Sequence, residues 1–367
     1  MPHPFAGFYR GKRVLVTGHT SFGCGWLVAW LKMLGAHVFG YGPPPFTRPN
    51  FFDATLLDRG MTSIFGDVRD RNALANAFAD FQPEIVIHGA ALPLLQRACP
   101  EPVETFATNV MGTVHILEEA RLTGCVRAVV VLSSSSCYEN RNWFWAYREE
   151  DSLGGADPCA ASLAGAELVT FAYQRSFFQN SKTGVATARA PRAIGGGDWS
   201  ENQIIPDTVR TLSSDQPTLV SDSSTLVPCW HVLDAARAYL LLAQRLYDSG
   251  QAFAGPWNFG PSEGDQISAQ ALASKFLKQW GCEKLSETQN DDDEPEPHPI
   301  RLNTRKAHTQ LGWTPALRLD EAIAWTVAWY KPFLADPASA WRITEDQIDN
   351  YTRLTANQHI SASATSS

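Results

Sequence analysis

No stretch of this 367-residue chain approaches 18 consecutive apolar residues, so no membrane-spanning helix is expected. Residues 1–9 hold no charged segment followed by an apolar one, and no signal peptide is expected. Positive charge is not in excess. Asp and Glu number 38 against 30 Lys and Arg, a formal net charge of −8, whereas a protein that tracks a phosphate backbone is usually basic. No nucleic-acid partner is therefore expected. The seven cysteines (Cys24, Cys99, Cys125, Cys137, Cys159, Cys229 and Cys282) include no Cys-x-x-Cys pair, and no spacing fits a metal site. Without a secretion signal they read as reduced thiols of a cytoplasmic protein. Internal repeats are lacking too. What is present is a 44% apolar composition, enough for a large core, in a chain longer than one typical domain.

The first half alternates short apolar runs with helical patterns. Residues 13–16, 37–39, 63–65, 85–88 and 128–132 read as strands. Between the first two, Leu27, Trp30, Leu31 and Leu34 recur at helical spacing, and Gly35 stops that helix. Leu74, Ala77, Phe78 and Phe81 form a second helical stripe; Phe106, Val110, Val114 and Leu117 form a third. Such alternation predicts an α/β, Rossmann-like, doubly wound parallel sheet with a smaller mixed α/β lobe. About seven strands are expected, with the order-reversal crevice at the carboxyl ends of strands one and four. The expected division is a dinucleotide-binding domain over 1–190, completed by 231–260, and a substrate lobe over 191–230 and 261–345. A tail over 346–367 follows, disordered at its end. The like-charge run Asp291-Asp292-Asp293-Glu294 reads as a solvated loop.

The first strand runs into Val16-Thr17-Gly18-His19-Thr20-Ser21-Phe22-Gly23-Cys24-Gly25, just before a helix. Glycines at such a junction let backbone N–H groups approach a pyrophosphate at the helix N-terminus. The run resembles the TGxxGxxG pattern of extended short-chain dehydrogenases. Gly18 fits the first glycine, but the second position holds Ser21 and the third Cys24. Either the shifted loop still binds NAD, or binding is weakened or lost. No Asp or Glu lies between Gly35 and Asp53, so the usual ribose acid is missing.

Several blocks then appear in a telling order. They are Gly11-Lys12-Arg13-Val14-Leu15-Val16-Thr17-Gly18-His19-Thr20, Gly66-Asp67-Val68-Arg69-Asp70, Val103-Glu104-Thr105-Phe106-Ala107-Thr108-Asn109, Cys137-Tyr138-Glu139-Asn140, Gly195-Gly196-Gly197-Asp198-Trp199, Trp257-Asn258-Phe259-Gly260-Pro261 and Leu311-Gly312-Trp313-Thr314-Pro315. Over roughly residues 7–335 the chain resembles CDP-glucose 4,6-dehydratases, members of the extended short-chain dehydrogenases. The resemblance implies NAD as cofactor, held by Thr17, Gly18, Thr20, Phe22, Asp67, Val68, Ala90, Ala91 and Asn109. Asp67 would accept from the adenine amino group and Asn109 would support the central helix. It implies a nucleotide sugar as partner, a CDP-linked hexose, with Arg192, Asn202 and His231 on the substrate side. It also implies pairing through two helices per subunit, around 101–123 and 160–181, as a homodimer or a heterodimer with a homologue.

The family reaction oxidises the sugar C4 hydroxyl, eliminates water across C5–C6 and returns the hydride to C6. It needs a tyrosine base, a lysine that lowers the tyrosine pKa, an acid and a second base. The family's tyrosine and lysine positions here hold Cys159 and Leu163. Its Ser-Asp-Lys run is here Ser134-Ser135-Ser136, so the serine stays and both titratable groups are gone. An arginine expected by the nucleotide diphosphate is Val227, and Arg192 adds a cation close by. Three functions follow. One is a pseudoenzyme that binds a nucleotide sugar, NAD or a competent homologue. The second is new chemistry at Cys159, with Ser134 the other candidate catalytic residue. The third is a retained dehydratase or epimerase that draws its missing groups from Lys182, Glu139, Tyr138 or His231.

Overall fold

Strand β1 (Arg13–Thr17) shows how the chain builds its sheet. Val14 and Val16 are buried on one face with Trp26, Leu27 and Trp30, while Leu15 is buried on the other with Leu74, Phe78 and Ile116. The same split recurs in β4 (Ile85–His88) and β5 (Ala128–Ser134). Ile85, Ile87 and Val130 join the first core, and Val86, Val129 and Val131 join the second. A strand covered on both faces reads as a continuous apolar run, and its two-residue period divides the side chains between two helical layers.

The computed structural model describes residues 4–92, 99–213, 219–221, 226–262, 264–282, 286–288 and 300–364. β2 (His37–Gly42), β3 (Thr62–Phe65), β6 (Gly184–Ala190) and β9 (Gly255–Asn258) complete a seven-stranded sheet of order β3-β2-β1-β4-β5-β6-β9. Every neighbouring pair is parallel. The chain winds outward from β1 to β3 and then returns to place β4 on the other side of β1. The order therefore reverses between β1 and β4, as expected, and a crevice opens at their carboxyl ends. Helices α1 (Phe22–Met33) and Val232–Ser249 meet on one face; Arg71–Phe81, Gly112–Thr123 and Pro158–Tyr173 cover the other.

The smaller lobe holds β7 (Leu219–Ser221) parallel to β11 (Ser286–Thr288), and β8 (Leu226–Pro228) antiparallel to β10 (Gln266–Ser268). Indoles fill its junction with the sheet: Trp313 lies 6.0 Å from Trp230 and 5.1 Å from Phe259, centroid to centroid. The expected tail needs correcting. A helix runs over Ala340–Ala364, and it buries Ile348 and Tyr351. The Tyr351 hydroxyl donates to Asp234 Oδ1 at 2.5 Å, and its ring lies edge-on to Trp30. One face of this helix, with Gln347, Ile348, Tyr351 and Thr355, thus packs into the core. The Asp291–Glu294 run lies outside the described residues.

Candidate active site and cofactor cleft

Gly18 follows β1 with φ +71°, a conformation that side chains disfavour. A Cβ there would stand 2.8 Å from the Gly89 carbonyl oxygen, so the turn is also sterically restricted to glycine. Thr17 ties the two central strands together: its Oγ1 bonds His88 Nδ1 at 2.7 Å and accepts from Ala90 N at 3.2 Å. Thr20 Oγ1 donates to the Pro43 carbonyl and anchors the loop to the turn after β2. Ser21 stands at the N-cap of α1, yet its hydroxyl turns back to donate to the Gly18 carbonyl and makes no capping bond. The first N–H groups of the helix, on Phe22, Gly23 and Cys24, are thus left uncapped by that side chain. That is the arrangement which receives a diphosphate.

Beside this turn lies a groove of about 510 Å³. Of the residues assigned to the cofactor from sequence, Gly18, Thr20, Asp67, Val68, Ala90 and Ala91 line it. Thr17 lies beneath it, fully buried, and Phe22 is half-buried against the core. The Asp67 carboxylate accepts from Arg69 N at 2.8 Å and from Arg69 Nη2 at 2.6 Å. Those bonds hold its pKa below the usual carboxylate value, so it stays an acceptor at neutral pH. Asn109, in a wide π turn Ala107–Met111, is buried. Its Oδ1 accepts from Leu92 N at 2.8 Å and its Nδ2 donates to Ser162 Oγ at 2.9 Å. It thereby fastens the loop after β4 to the helix Pro158–Tyr173.

At the end of β5, Ser134 Oγ accepts from Ser136 N at 3.1 Å and lies 3.3 Å from Ser136 Oγ. Cys159 opens the first turn of the helix Pro158–Tyr173, only 6% exposed, with Sγ 3.9 Å from the Leu92 carbonyl oxygen. Burial, then Asp157, pushes its thiol up to about 11, so it is protonated at neutral pH. Leu163 lies one turn on. With Cys159, Cys137, Tyr138 and Tyr147 it forms a separate apolar cluster.

The suggested substitutes are not delivered to this point. Tyr138 is buried, accepts from Arg189 Nη1 at 2.8 Å and donates to Asn258 Oδ1; burial raises its pKa well above that of a free phenol. Glu139 is engaged by Arg141. Lys182 precedes β6, at the opposite end of the sheet from the crevice. His231 needs correction on two counts, as a substrate contact and as a stand-in base. It is fully buried between Trp26 and Trp325, and its Nδ1 accepts from Leu233 N at the start of Val232–Ser249. Burial lowers its pKa to about 3, so it is a neutral cap. Arg192 donates to Asp198 Oδ2 at 2.7 Å, and Asn202 is exposed with φ +56° in the same loop region.

A buried ion pair escapes sequence reasoning. Glu167 Oε2 accepts from Arg189 Nη2 at 2.9 Å and from Thr187 Oγ1 at 2.7 Å. Its other oxygen has no partner among the described residues. The available signal is spacing, for Cys159, Leu163 and Glu167 repeat every fourth residue on one helix face.

The β1-to-α1 turn, the acid after β3 and the crevice between β1 and β4 agree with the comparison to known families: residues 14–254 match the NAD dependent epimerase/dehydratase family. The chain belongs to that family. A CDP-glucose 4,6-dehydratase of Salmonella typhimurium is 40% identical over 332 residues, which cover 89% of this chain and 92% of that one. A UDP-glucose 4-epimerase of Mycolicibacterium smegmatis is 28% identical over 87% of this chain and 98% of its own. Among solved structures, UDP-glucose 4-epimerase from Thermotoga maritima with UDP-glucose superposes with TM-score 0.75 at 19% identity, over 88% of this chain and 99% of that one. A dTDP-glucose 4,6-dehydratase from Streptomyces venezuelae with NAD bound gives TM-score 0.72 at 23% identity, over 88% and 97%. These neighbours establish the extended short-chain-dehydrogenase fold. NAD is the cofactor of the family. Among the described residues, no helix is long and apolar enough to cross a membrane.

Proposed function

We propose that this family member binds a nucleotide sugar, a CDP-linked hexose, next to NAD without carrying out the 4,6-dehydration. It acts as a pseudoenzyme or as the partner subunit of a competent homologue. NAD, when bound, is the group that takes up and returns a hydride in this family. The chain's own part would be to remove the C4 hydroxyl proton as the hydride leaves. The observation that carries the proposal is the helix face at Cys159 and Leu163, which offers a protonated thiol and an isobutyl group where that proton must go. The same observation argues against new chemistry at Cys159, because a thiol with pKa about 11 supplies little thiolate at neutral pH.

Pairing belongs to the proposal. Val103, Phe106, Leu168 and Phe171 are all exposed on the two helical segments expected to meet a second subunit. All seven cysteines are free, which fits a cytoplasmic setting. Incubation of the purified chain with CDP-glucose and NAD, followed by mass spectrometry of the sugar nucleotide, tests the reading. Calorimetry should show CDP-glucose binding without loss of water. Appearance of a 4-keto-6-deoxy product would overturn it.

A further inference from the structure

The groove stops short of the residues of the reaction. Its walls come from the carboxyl ends of β1 to β4 and from the helical turn Pro102–Phe106, and neither Ser134, Cys159 nor Leu163 lines it. In the family reaction the tyrosine position takes a proton while the hydride leaves the same carbon, so the hydride-accepting ring must lie beside position 159. Here the described residues around that place are tied to one another. The Asn109 amide grips Leu92 on one side and Ser162 on the other, and the Leu92 carbonyl lies against Cys159 Sγ. Leu163, 4% exposed, presents no donor to a ribose hydroxyl. The cavity it borders, with His88, Asn109 and Glu167, measures about 10 Å³, space for a single water.

The other end of the cleft keeps its polar equipment. Gly18, Thr20 and Ser21 line the groove next to the helix start that Ser21 leaves uncapped, a place for a diphosphate, and Asp67 is held ionised by Arg69 for an amino group. Binding free energy is therefore available from an adenosine diphosphate and not from the ring beyond it.

We infer that this site recognises the adenosine 5′-diphosphate moiety alone, and that ADP, ADP-ribose and NAD are equivalent ligands, with the nicotinamide left unheld. The inference rests on reading the chain as a family member without the 4,6-dehydration, and it names what the cofactor cleft retains.

Calorimetry of the intact protein with ADP, ADP-ribose and NAD tests it, together with the emission of NADH on titration. The three dissociation constants should agree within about threefold, and ADP should displace NADH. Bound NADH should keep the emission of the free dinucleotide, because its ring stays in water. NAD binding more than about tenfold tighter than ADP would overturn the inference, as would a shifted and enhanced NADH emission. So would failure of ADP to bind. None of these outcomes depends on turnover of CDP-glucose, the result on which the proposed function stands or falls.

Discussion

Gly89 offers no side chain where Cys24 places its sulfur: a Cβ on residue 89 would overlap Cys24 Sγ. Cys24 occupies the third glycine position of the phosphate-loop pattern, where helix and strand approach closely. The absent glycine on α1 is thus matched by a glycine after β4, and the two elements remain in contact.

Gly89→Ala should therefore destabilise the protein by about 1–3 kcal/mol, the usual range for overpacking. Cys24→Ala removes the sulfur and should recover most of that loss in the double variant. Leu132 Cδ1 at 3.1 Å from the new Cβ leaves a residue of strain. Urea unfolding of the four proteins gives the coupling directly. Independent, additive effects would show that the two positions do not compensate.

Acid should weaken the fold well above the carboxylate range. Burial lowers the pKa of His88 to about 4 and of His231 to about 3, and of His19 to about 4. Each is neutral in the folded state and titrates near 6.5 when unfolded, so the unfolded chain binds more protons below that pH. Stability is full above about 6.5 and falls as pH drops towards 4, by up to about 1.4 kcal/mol per unit for each histidine. Asp234 opposes this. Burial raises it to about 6, so between about 3.8 and 6 the folded state binds its proton and gains stability as pH falls. Three histidines outweigh one aspartate, and thermal melts at pH 7.5, 6 and 5 should show a falling midpoint. His231→Asn, which can still cap Val232–Ser249, should make the slope shallower.

Why some of this is legible in the sequence and some is not has a physical basis. β1, β4 and β5 are covered on both faces, so their sequences are apolar runs that need no tertiary context. β6 is equally buried, yet reads Gly-Val-Ala-Thr-Ala-Arg-Ala, and Arg189 is buried there only because Glu167 faces it from a helix close in sequence but across a layer. Gly18 is legible because turn geometry demands glycine locally. His231 is not: beside a tryptophan and near substrate-side residues it looks like a ligand group, and only the closing of Trp26 and Trp325 around it shows a cap. The stretch 346–356 is polar on average, and the pair Ile348 and Tyr351, three apart, is too short a stripe to announce a buried helix face.

The helix Pro158–Tyr173 carries its exposed apolar load at Leu168 and Phe171, each 59% exposed, three residues apart on one face. Val110 Cγ2 would stand 2.9 Å from a Cβ on Gly165, so this helix and the 102–123 segment lie close enough to present a common surface. An exposed apolar patch of this kind marks an association site. Light scattering at micromolar concentration should give twice the chain mass. Leu168→Glu with Phe171→Glu should give the monomer with an unchanged circular dichroism spectrum, because neither side chain contributes to the core. A monomer in the unmodified protein would end the proposal of a homodimer.

Restoring the reaction should require the whole set of proton-transfer groups. General acid and base groups each contribute about 10²–10⁴-fold, and within one catalytic unit their losses do not multiply. Cys159→Tyr alone should therefore give no 4-keto-6-deoxy product. With leucine at 163 the new phenol keeps a pKa of about 10 and stays protonated at neutral pH. Leu163→Lys is structurally supported: Leu163 borders the same small cavity as Glu167, whose Oε1 has no partner among the described residues, so a cation at 163 has a carboxylate nearby rather than a bare apolar wall. Ser135→Asp and Ser136→Lys then return the acid and base to the turn that Ser134 already caps. With lysine at 163 again offering a donor to the ribose beside the nicotinamide, the fourfold variant should release the keto sugar at least about 10²-fold faster than the unmodified chain, measured by mass spectrometry with CDP-glucose and NAD, and no product would mean that the ring stays unheld. Activity in the single Cys159→Tyr variant would show that a group other than residue 163 lowers the phenol pKa, and would refute the need for the whole set.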